Sequence, residues 1–183
     1  MKKIILFTIA AAFTVGASAQ KYFTKTGYIG FFSKTAMEDI KADNNKVSTV
    51  LDAATGQVEF SALVKAFAFE KALMEEHFNE NYMESSTFPK ATFKGKVENM
   101  SAINLKKDGS YASKVSGELT IHGVTKTITS DATFDVKGDM ITAQTKFFVN
   151  PEDYQIEIPE VVKDKISKNI EVTVLSKLEP LKK

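Results

Sequence analysis

The stretch YASKVSGELTIHGVTKTITSDATFDV, residues 111–136, decides the fold because its polarity alternates with a period of two. Apolar side chains concentrate at odd positions up to Ile121 and at even positions from Val124, while the intervening positions are mostly Lys, Glu, Ser, Thr and Asp. Alternation of this kind is typical of strands that bury one face. His122-Gly123 interrupts the pattern and predicts a tight turn, so the stretch predicts an antiparallel hairpin.

Similar patterns elsewhere in the chain bring the expected total to roughly eight strands. The other strands are predicted at residues 26–33, 46–51, 57–69, 91–97, 140–149 and 169–178. Glu70–Phe78 contains good helix formers with apolar spacings of four residues and predicts one short helix, and Pro159-Glu160 predicts a second helical turn. This content favours an all-β antiparallel barrel or sandwich. A barrel of roughly eight strands either fills with side chains or holds one small ligand.

Composition excludes several classes of function. The chain has 183 residues, no Cys, and 24 basic residues against 23 acidic ones, and every basic residue is Lys. Without Cys there is no disulfide, thiolate zinc site or cysteine nucleophile. A net charge of +1 gives no basis for nucleic-acid binding. His77 and His122 lie too far apart to form a metal-ligand motif, and no nucleophile motif is present, so neither a metal nor a cofactor is predicted.

The N-terminus has the pattern of a cleavable export signal. Lys2 and Lys3 precede the apolar run Ile4–Val15, and Ala17-Ser18-Ala19 ends in the A-x-A pattern of a cleavage site. The apolar run is shorter than the roughly 20 residues of a membrane-spanning helix. We therefore expect residues 1–19 to be a signal peptide cleaved after Ala19. The mature domain, residues 20–183, would be periplasmic or secreted and would have no stable membrane anchor.

A small outer-membrane barrel is the rival interpretation for eight strands behind an export signal. Such a barrel needs one uniformly apolar face on every strand, and a charge in the middle of that face costs about 2–4 kcal/mol. The face that begins at Val124 carries Lys126 and Ser130, and the opposite face of the same strand consists of Thr and Asp. These side chains favour a soluble barrel.

Residues Gly117–Lys126 resemble the strand–turn–strand signature of the YceI-like family of exported lipid-binding proteins. Four further segments resemble family motifs in the same order: Met74–Phe78, Thr87–Phe93, Tyr154–Pro159 and Asn169–Val172. The resemblance implies an extended, eight-stranded, lipocalin-like barrel over residues 20–183. Its apolar channel would hold a polyisoprenoid or similar long-chain lipid, and no catalytic reaction is implied.

In such a barrel the inward face is both core and cavity wall. The candidate channel residues are Tyr28, Phe32, Phe60, Ala62, Val64, Phe67, Phe69, Phe93, Val115, Leu119, Ile121, Ile128, Phe134 and Phe148. His77 and His122 are candidate polar contacts at the mouth. Their sequence context favours a packing or hydrogen-bonding role for His77 and a turn or capping role for His122, with ligand contact as the alternative.

Three hypotheses follow for the function of the mature domain. The first is a carrier that stores, transports or sequesters an isoprenoid or another long-chain lipid. The second is an enzyme for an apolar substrate with His77 or His122 as the proton-transfer group, and the third is an envelope scaffold with a filled barrel. The resemblance favours the carrier and no enzymatic activity. The oligomeric state stays open, with a homodimer through a sheet edge as one arrangement.

Overall fold

The described part of the chain, residues 20–181 of a computed structural model, consists mainly of strands. The strands are β1 (Lys21–Lys34), β2 (Asp39–Asp52), β3 (Gln57–Leu63), β4 (Ala68–Phe69), β5 (Lys90–Val97), β6 (Gly109–Ile121), β7 (Val124–Lys137), β8 (Met140–Val149) and β9 (Ile170–Pro180). The predicted signal peptide, residues 1–19, lies outside the described residues.

Helical structure is limited to short segments between the strands. The helix α1 (Ala72–His77) continues as a π-helical turn over Phe78–Tyr82. Turns of 3-10 helix lie at Val64–Ala66, Met100–Ala102, Pro151–Tyr154 and Glu160–Lys165. No helix between residues 20 and 181 has the length and apolar character needed to cross a membrane.

Eight of the strands form one closed antiparallel barrel. Their order is β1-β9-β8-β7-β6-β5-β3-β2, and β1 also pairs with β2, which closes the sheet on itself. The two-residue strand β4 pairs with β2 outside this ring. Closure leaves none of these eight strands with an unpaired edge. The sequence prediction of an all-β, eight-stranded antiparallel barrel is therefore confirmed, and the sandwich alternative is wrong.

The β6–β7 hairpin forms where the sequence predicted it. Ile121 pairs with Val124, and the two residues between them have positive φ angles, 50° at His122 and 75° at Gly123. Two consecutive positive φ angles define the tight turn that matches the twist of paired strands. The His122 ring packs edge-on against Phe88, with the ring centroids 4.5 Å apart, and its Nε2 lies 3.3 Å from Oε1 of Glu84. These contacts fix the hairpin tip against the loop that precedes β5.

The barrel end at the β2–β3 and β7–β8 turns is filled by a packed core. This core comprises Tyr22, Leu51, Val97, Met100, Ile103, Ala132, Phe134, Val136, Ile141 and Leu178. Met100 and Ile103 come from the β5–β6 connection and plug the end between the strands. Burial of these side chains closes this end of the barrel.

The opposite end carries α1, its π-helical continuation and a cluster of phenylalanine rings. Phe31, Phe67, Phe69 and Phe78 pack with ring centroids 5.0–5.8 Å apart. A second core group, formed by Val64, Met83, Leu119, Tyr154 and Ile156, joins the helical segments to the barrel wall. The strands therefore form the wall of the interior. The packed core closes one end, and loops and short helices cover the opposite end.

One predicted strand is interrupted. Residues 57–69 were expected to be continuous, but β3 ends at Leu63 and a 3-10 turn separates it from β4. The Val64 amide donates to the carbonyl of Pro89 and the Phe67 amide donates to the carbonyl of Val64. These bonds take the chain out of the β-ladder at the barrel rim, so Phe67 and Phe69 belong to the covering layer.

Candidate binding cavity

A cavity of about 520 Å³ occupies the barrel interior between the packed core and the covering layer. Inward side chains of all eight barrel strands contribute to its wall, together with residues of α1 and of the covering loops. The lining is almost entirely apolar. A cavity of this size and polarity is typical of small-molecule sites, which are mostly apolar with few polar groups.

The hydroxyl groups in the wall have partners within the protein. Ser130 Oγ lies 2.8 Å from Thr145 Oγ1, and Thr49 Oγ1 lies 2.8 Å from Ser176 Oγ. Ser33 Oγ accepts a hydrogen bond from the Ser167 amide. Burial raises the pKa of the Tyr82 phenol, which therefore stays neutral. The wall thus presents no charge along most of its length.

Charged lining residues are confined to the covered end. Lys71 Nζ lies 3.2 Å from Oε1 of Glu38, and this ion pair ties the start of α1 to the β1–β2 turn. Lys165 lines the cavity from the facing 3-10 turn, and Leu73 of α1 lines it although its side chain is 61% exposed. Exposed lining residues mark the opening, so the mouth lies between α1 and Glu160–Lys165.

Most of the side chains predicted to line a channel do lie in the cavity wall. These are Phe60, Val64, Phe67, Phe69, Phe93, Val115, Leu119, Ile121, Ile128 and Phe134, and His77 lies at the mouth. His77 is exposed, which differs from the packing role that was one of the two roles its sequence context favoured. The β6 and β7 residues come from the alternating stretch that predicted the hairpin.

Two predicted channel residues point the wrong way. Phe148 is 62% exposed on the outer surface of β8, and its neighbour Phe147 lines the cavity instead. On β1, likewise, Phe31 lines the cavity and the predicted residue Phe32 lies on the outside. Successive strand residues face opposite sides, so only one member of each Phe pair can face inward. The predictions for Phe32 and Phe148 are wrong.

Three further candidates lie away from the cavity. Ala62 is fully buried but does not line the cavity. His122 occupies the β6–β7 turn, and the carbonyl of Tyr154 lies 3.3 Å from its Nδ1. Tyr28 lies on the outer wall, where its hydroxyl donates to Oδ1 of Asp43 at 2.6 Å. The Tyr28 side chain crosses Gly30, since a Cβ there would come within 2.1 Å of the Tyr28 oxygen.

The Tyr28–Asp43 bond gives a pH-dependent contribution to stability. Burial and the hydrogen bond to Asp43 raise the pKa of Tyr28 to about 12, so the folded state favours the protonated phenol. The contribution is complete below the ordinary tyrosine pKa of about 10 and is lost as the pH rises through about 12. We expect Tyr28→Phe to lower the free energy of unfolding by about 1 kcal/mol at pH 8. Urea titrations should show this difference between wild type and variant shrinking at pH 12, and a difference independent of pH would contradict it.

Several lining residues were missed by the sequence analysis. They are Phe31, Phe78, Tyr82, Phe147, Tyr154, Ile156 and Ile158 among others. A signal for Phe147 was present, because it continues the alternation of Ile141, Ala143 and Thr145 along β8. Tyr154, Ile156 and Ile158 also alternate with a period of two, but they lie at the end of the 3-10 turn Pro151–Tyr154 and beyond it, outside any predicted strand, so their place over the cavity depends on tertiary packing.

The described residues do not assemble a metal site. No group of three or more His, Asp or Glu side chains between residues 20 and 181 is arranged to hold a metal ion.

Solved structures with the same fold are known. The chain is similar to a polyisoprenoid binding domain from Saccharophagus degradans implicated in plant cell wall breakdown, with a TM-score of 0.77 and 16% identity over 89% of this chain and 99% of that one. It is similar to BcnA of Burkholderia cenocepacia, with a TM-score of 0.69 and 17% identity over 83% and 95%. It is also similar to the YCEI protein of Campylobacter jejuni, with a TM-score of 0.58 and 16% identity over 100% and 92%. Identities this low show a shared fold.

The family is settled by the sequence itself. No curated protein matches the chain. The model of the YceI-like domain, in contrast, matches residues 10–177, which include all of the barrel except the last residues of β9. The chain therefore belongs to the YceI-like family.

Proposed function

We propose that the barrel binds one long-chain lipid, a polyisoprenoid or a similar amphiphile, inside the cavity. The observation that carries this proposal is the closed barrel around a cavity of about 520 Å³ whose wall is almost entirely apolar. The family and the polyisoprenoid binding domain of similar fold support the same ligand class. Storage, transport or sequestration of the lipid is the proposed role.

Burial of the lipid's hydrocarbon chain supplies the binding affinity. Each buried CH2 contributes about 0.8 kcal/mol, against association costs of several kcal/mol. A lipid that threads past Phe60, Phe93 and Ile128 therefore needs few polar contacts to bind tightly. The wall hydroxyls pair with one another, so little of their solvation is lost when the chain enters.

We propose further that the protein is exported and acts as a binding protein without catalysing a reaction. The signal-peptide pattern of residues 1–19 supports export. His77 is exposed at the mouth, and His122 is held by the β6–β7 turn outside the cavity wall. Replacing either histidine with Ala should change lipid affinity by less than about threefold, because neither makes the apolar contacts that hold the chain. A loss of binding in both variants would contradict this assignment.

The dependence of affinity on chain length tests lipid binding directly. Mature protein, residues 20–183, would be titrated with prenyl alcohols of 10, 15 and 20 carbons through displacement of the fluorescent probe N-phenyl-1-naphthylamine. We expect affinity to rise at least about tenfold with each added five-carbon unit until the cavity is full, since each unit adds buried apolar surface. Equal affinity for all three alcohols, or no displacement, would contradict enclosure of the chain.

A further inference from the structure

Thr49 and Ser176 form a hydroxyl pair at the inner end of the cavity. Thr49 lies on β2 and Ser176 on β9, with 4% and 2% of their surfaces exposed, and both line the cavity. Two residues further along each strand, Leu51 and Leu178 belong to the core that closes the barrel. The pair therefore lies at the floor of the cavity, far from the charged mouth.

The Thr49–Ser176 pair has one more hydroxyl proton than its single hydrogen bond uses. Each hydroxyl carries one proton, and the single 2.8 Å contact between Thr49 Oγ1 and Ser176 Oγ uses one of them. Neither oxygen has another hydrogen-bond partner among residues 20–181. One O–H group is thus left without an acceptor in a nearly water-excluding, apolar place, where an unsatisfied donor is costly.

Ser130 and Thr145 form the second hydroxyl pair in the wall, and in this pair both hydroxyl protons have acceptors. Thr145 Oγ1 donates to the carbonyl of Asp131 at 2.7 Å, and Ser130 Oγ donates to the carbonyl of Lys146 at 3.0 Å. Both protons of this pair are used by the backbone. Of these two hydroxyl pairs, only Thr49–Ser176 has a donor to offer a ligand, and it lies at the inner end of the cavity.

The surroundings restrict what can accept this proton. The charged lining residues Glu38, Lys71 and Lys165 all lie at the mouth, and none lies near the floor. A carboxylate or phosphate at the floor would be a buried charge without a counter-charge, which is strongly unfavourable. A neutral oxygen such as a ketone, ester or amide carbonyl carries no such cost.

We propose that Thr49 and Ser176 form a polar anchor that binds a neutral oxygen of the ligand at the cavity floor. This inference rests on the proposed function and narrows its ligand class to uncharged, oxygen-bearing lipids. The lipid lies with its neutral polar end at the floor and its chain directed towards the mouth. The free O–H of the pair donates to the ligand oxygen, so every buried donor of the pair is satisfied in the complex.

A matched pair of ligands tests the anchor. Displacement of N-phenyl-1-naphthylamine by 2-dodecanone, which has an acceptor, would be compared with displacement by 1-dodecene, which has none. In Thr49→Val/Ser176→Ala we expect the affinity for 2-dodecanone to fall about five- to tenfold, the range of one lost hydrogen bond. The affinity for 1-dodecene should stay within about twofold, because the apolar contacts remain.

The control variant is Ser130→Ala/Thr145→Val, which removes the same two hydroxyl groups from the satisfied pair. It should leave the ratio of the two affinities unchanged. Both double variants would be checked by thermal unfolding. A measurement on wild type alone supplements them: the carbonyl stretch of bound 2-dodecanone should lie at lower frequency than in hexadecane, as hydrogen bonding requires.

The outcomes separate the two proposals. Two results would overturn the anchor while lipid binding stands. One is an unshifted carbonyl stretch, and the other is an equal loss of affinity for both ligands in the Thr49/Ser176 variant. A water molecule that keeps the O–H occupied gives the same unshifted stretch and overturns it too. If wild type binds neither ligand and no prenyl alcohol, the proposed function itself fails.

Discussion

Replacing Ala143 with Phe is expected to lower the affinity for the 20-carbon prenyl alcohol by about a hundredfold or more. Ala143 lines the cavity from β8, opposite Phe134 on β7 and Ser176 on β9. A benzyl group at this position fills the inner part of the cavity and excludes several carbons of the chain, and each excluded CH2 costs about 0.8 kcal/mol. Probe displacement measures the loss.

The matched control places the same side chain one residue earlier. Thr142 faces the outside of β8, where it pairs with Asp135 and Lys177. Thr142→Phe should bind the alcohol within about twofold of wild type, because the cavity is untouched. Equal losses in the two variants would mean that the lipid does not occupy the barrel interior. Thermal unfolding of the ligand-free proteins shows whether both variants are folded.

The second large effect is expected at Gly117. Gly117 on β6 pairs with Gly95 on β5, and a Cβ built on Gly117 would lie 2.4 Å from the Cα of Gly95 and 2.4 Å from the carbonyl oxygen of Lys94. These are backbone atoms, so the clash cannot be relieved by a side-chain rotation. We expect Gly117→Val to lower the free energy of unfolding by about 3 kcal/mol or more. Urea denaturation followed by circular dichroism measures this.

Gly109 provides the control on the same strand. A Cβ on Gly109 would meet only the Tyr111 ring, at 3.4–3.5 Å, which is ordinary van der Waals contact. Gly109→Val should therefore change stability by less than about 1 kcal/mol. If the two variants were equally stable, the close approach of β5 and β6 would not exist as described. The glycine pair would then need another explanation.

The close glycine pair also shapes the cavity. Without side chains at Gly95 and Gly117, β5 and β6 approach closely, and the Phe93 ring lies where a Gly95 Cβ would be, 2.5 Å from it. Glycines inside strands often mark places where another backbone approaches closely. The missing Cβ of Gly95 thus leaves room for the Phe93 ring, one of the large rings of the cavity wall.

The β6–β7 hairpin could be predicted to the residue because two local signals agree there. Alternation of mainly apolar with polar positions runs along both strands, and His122-Gly123 supplies the backbone angles that a two-residue turn requires. The inward residues Val115, Leu119 and Ile128 followed directly from that register. Local pattern and tertiary structure coincide in this part of the barrel.

The start of β2 could not be predicted, because its residues are poor strand formers. Asp43 and Asn44 belong to residue types depleted in strands, yet β2 begins at Asp39. Asn44 is fully buried and its Nδ2 donates to the carbonyl of Leu63 at 2.9 Å, while Asp43 accepts from Tyr28. Partners distant in sequence stabilise this strand, and no local pattern identifies them.

The inner face of β1 escaped prediction for a related reason. The pairing of β1 with β2 shifts between Thr24 and Ile29, so the choice between Phe31 and Phe32 depends on an irregularity of the strand pair. A one-residue change in register moves every side chain to the other face. The candidate site was therefore predicted best where strands are regular and worst near β1 and the covering loops.

The central claim is that the barrel carries a lipid in its cavity, and native mass spectrometry of the protein tests it most directly. The mature protein would be purified from its own cell envelope without detergent and measured before and after extraction with organic solvent. We predict a polypeptide that begins at Gln20 and carries one discrete added mass, which the solvent removes and which identifies the lipid. A spectrum with the bare polypeptide mass alone would contradict the claim.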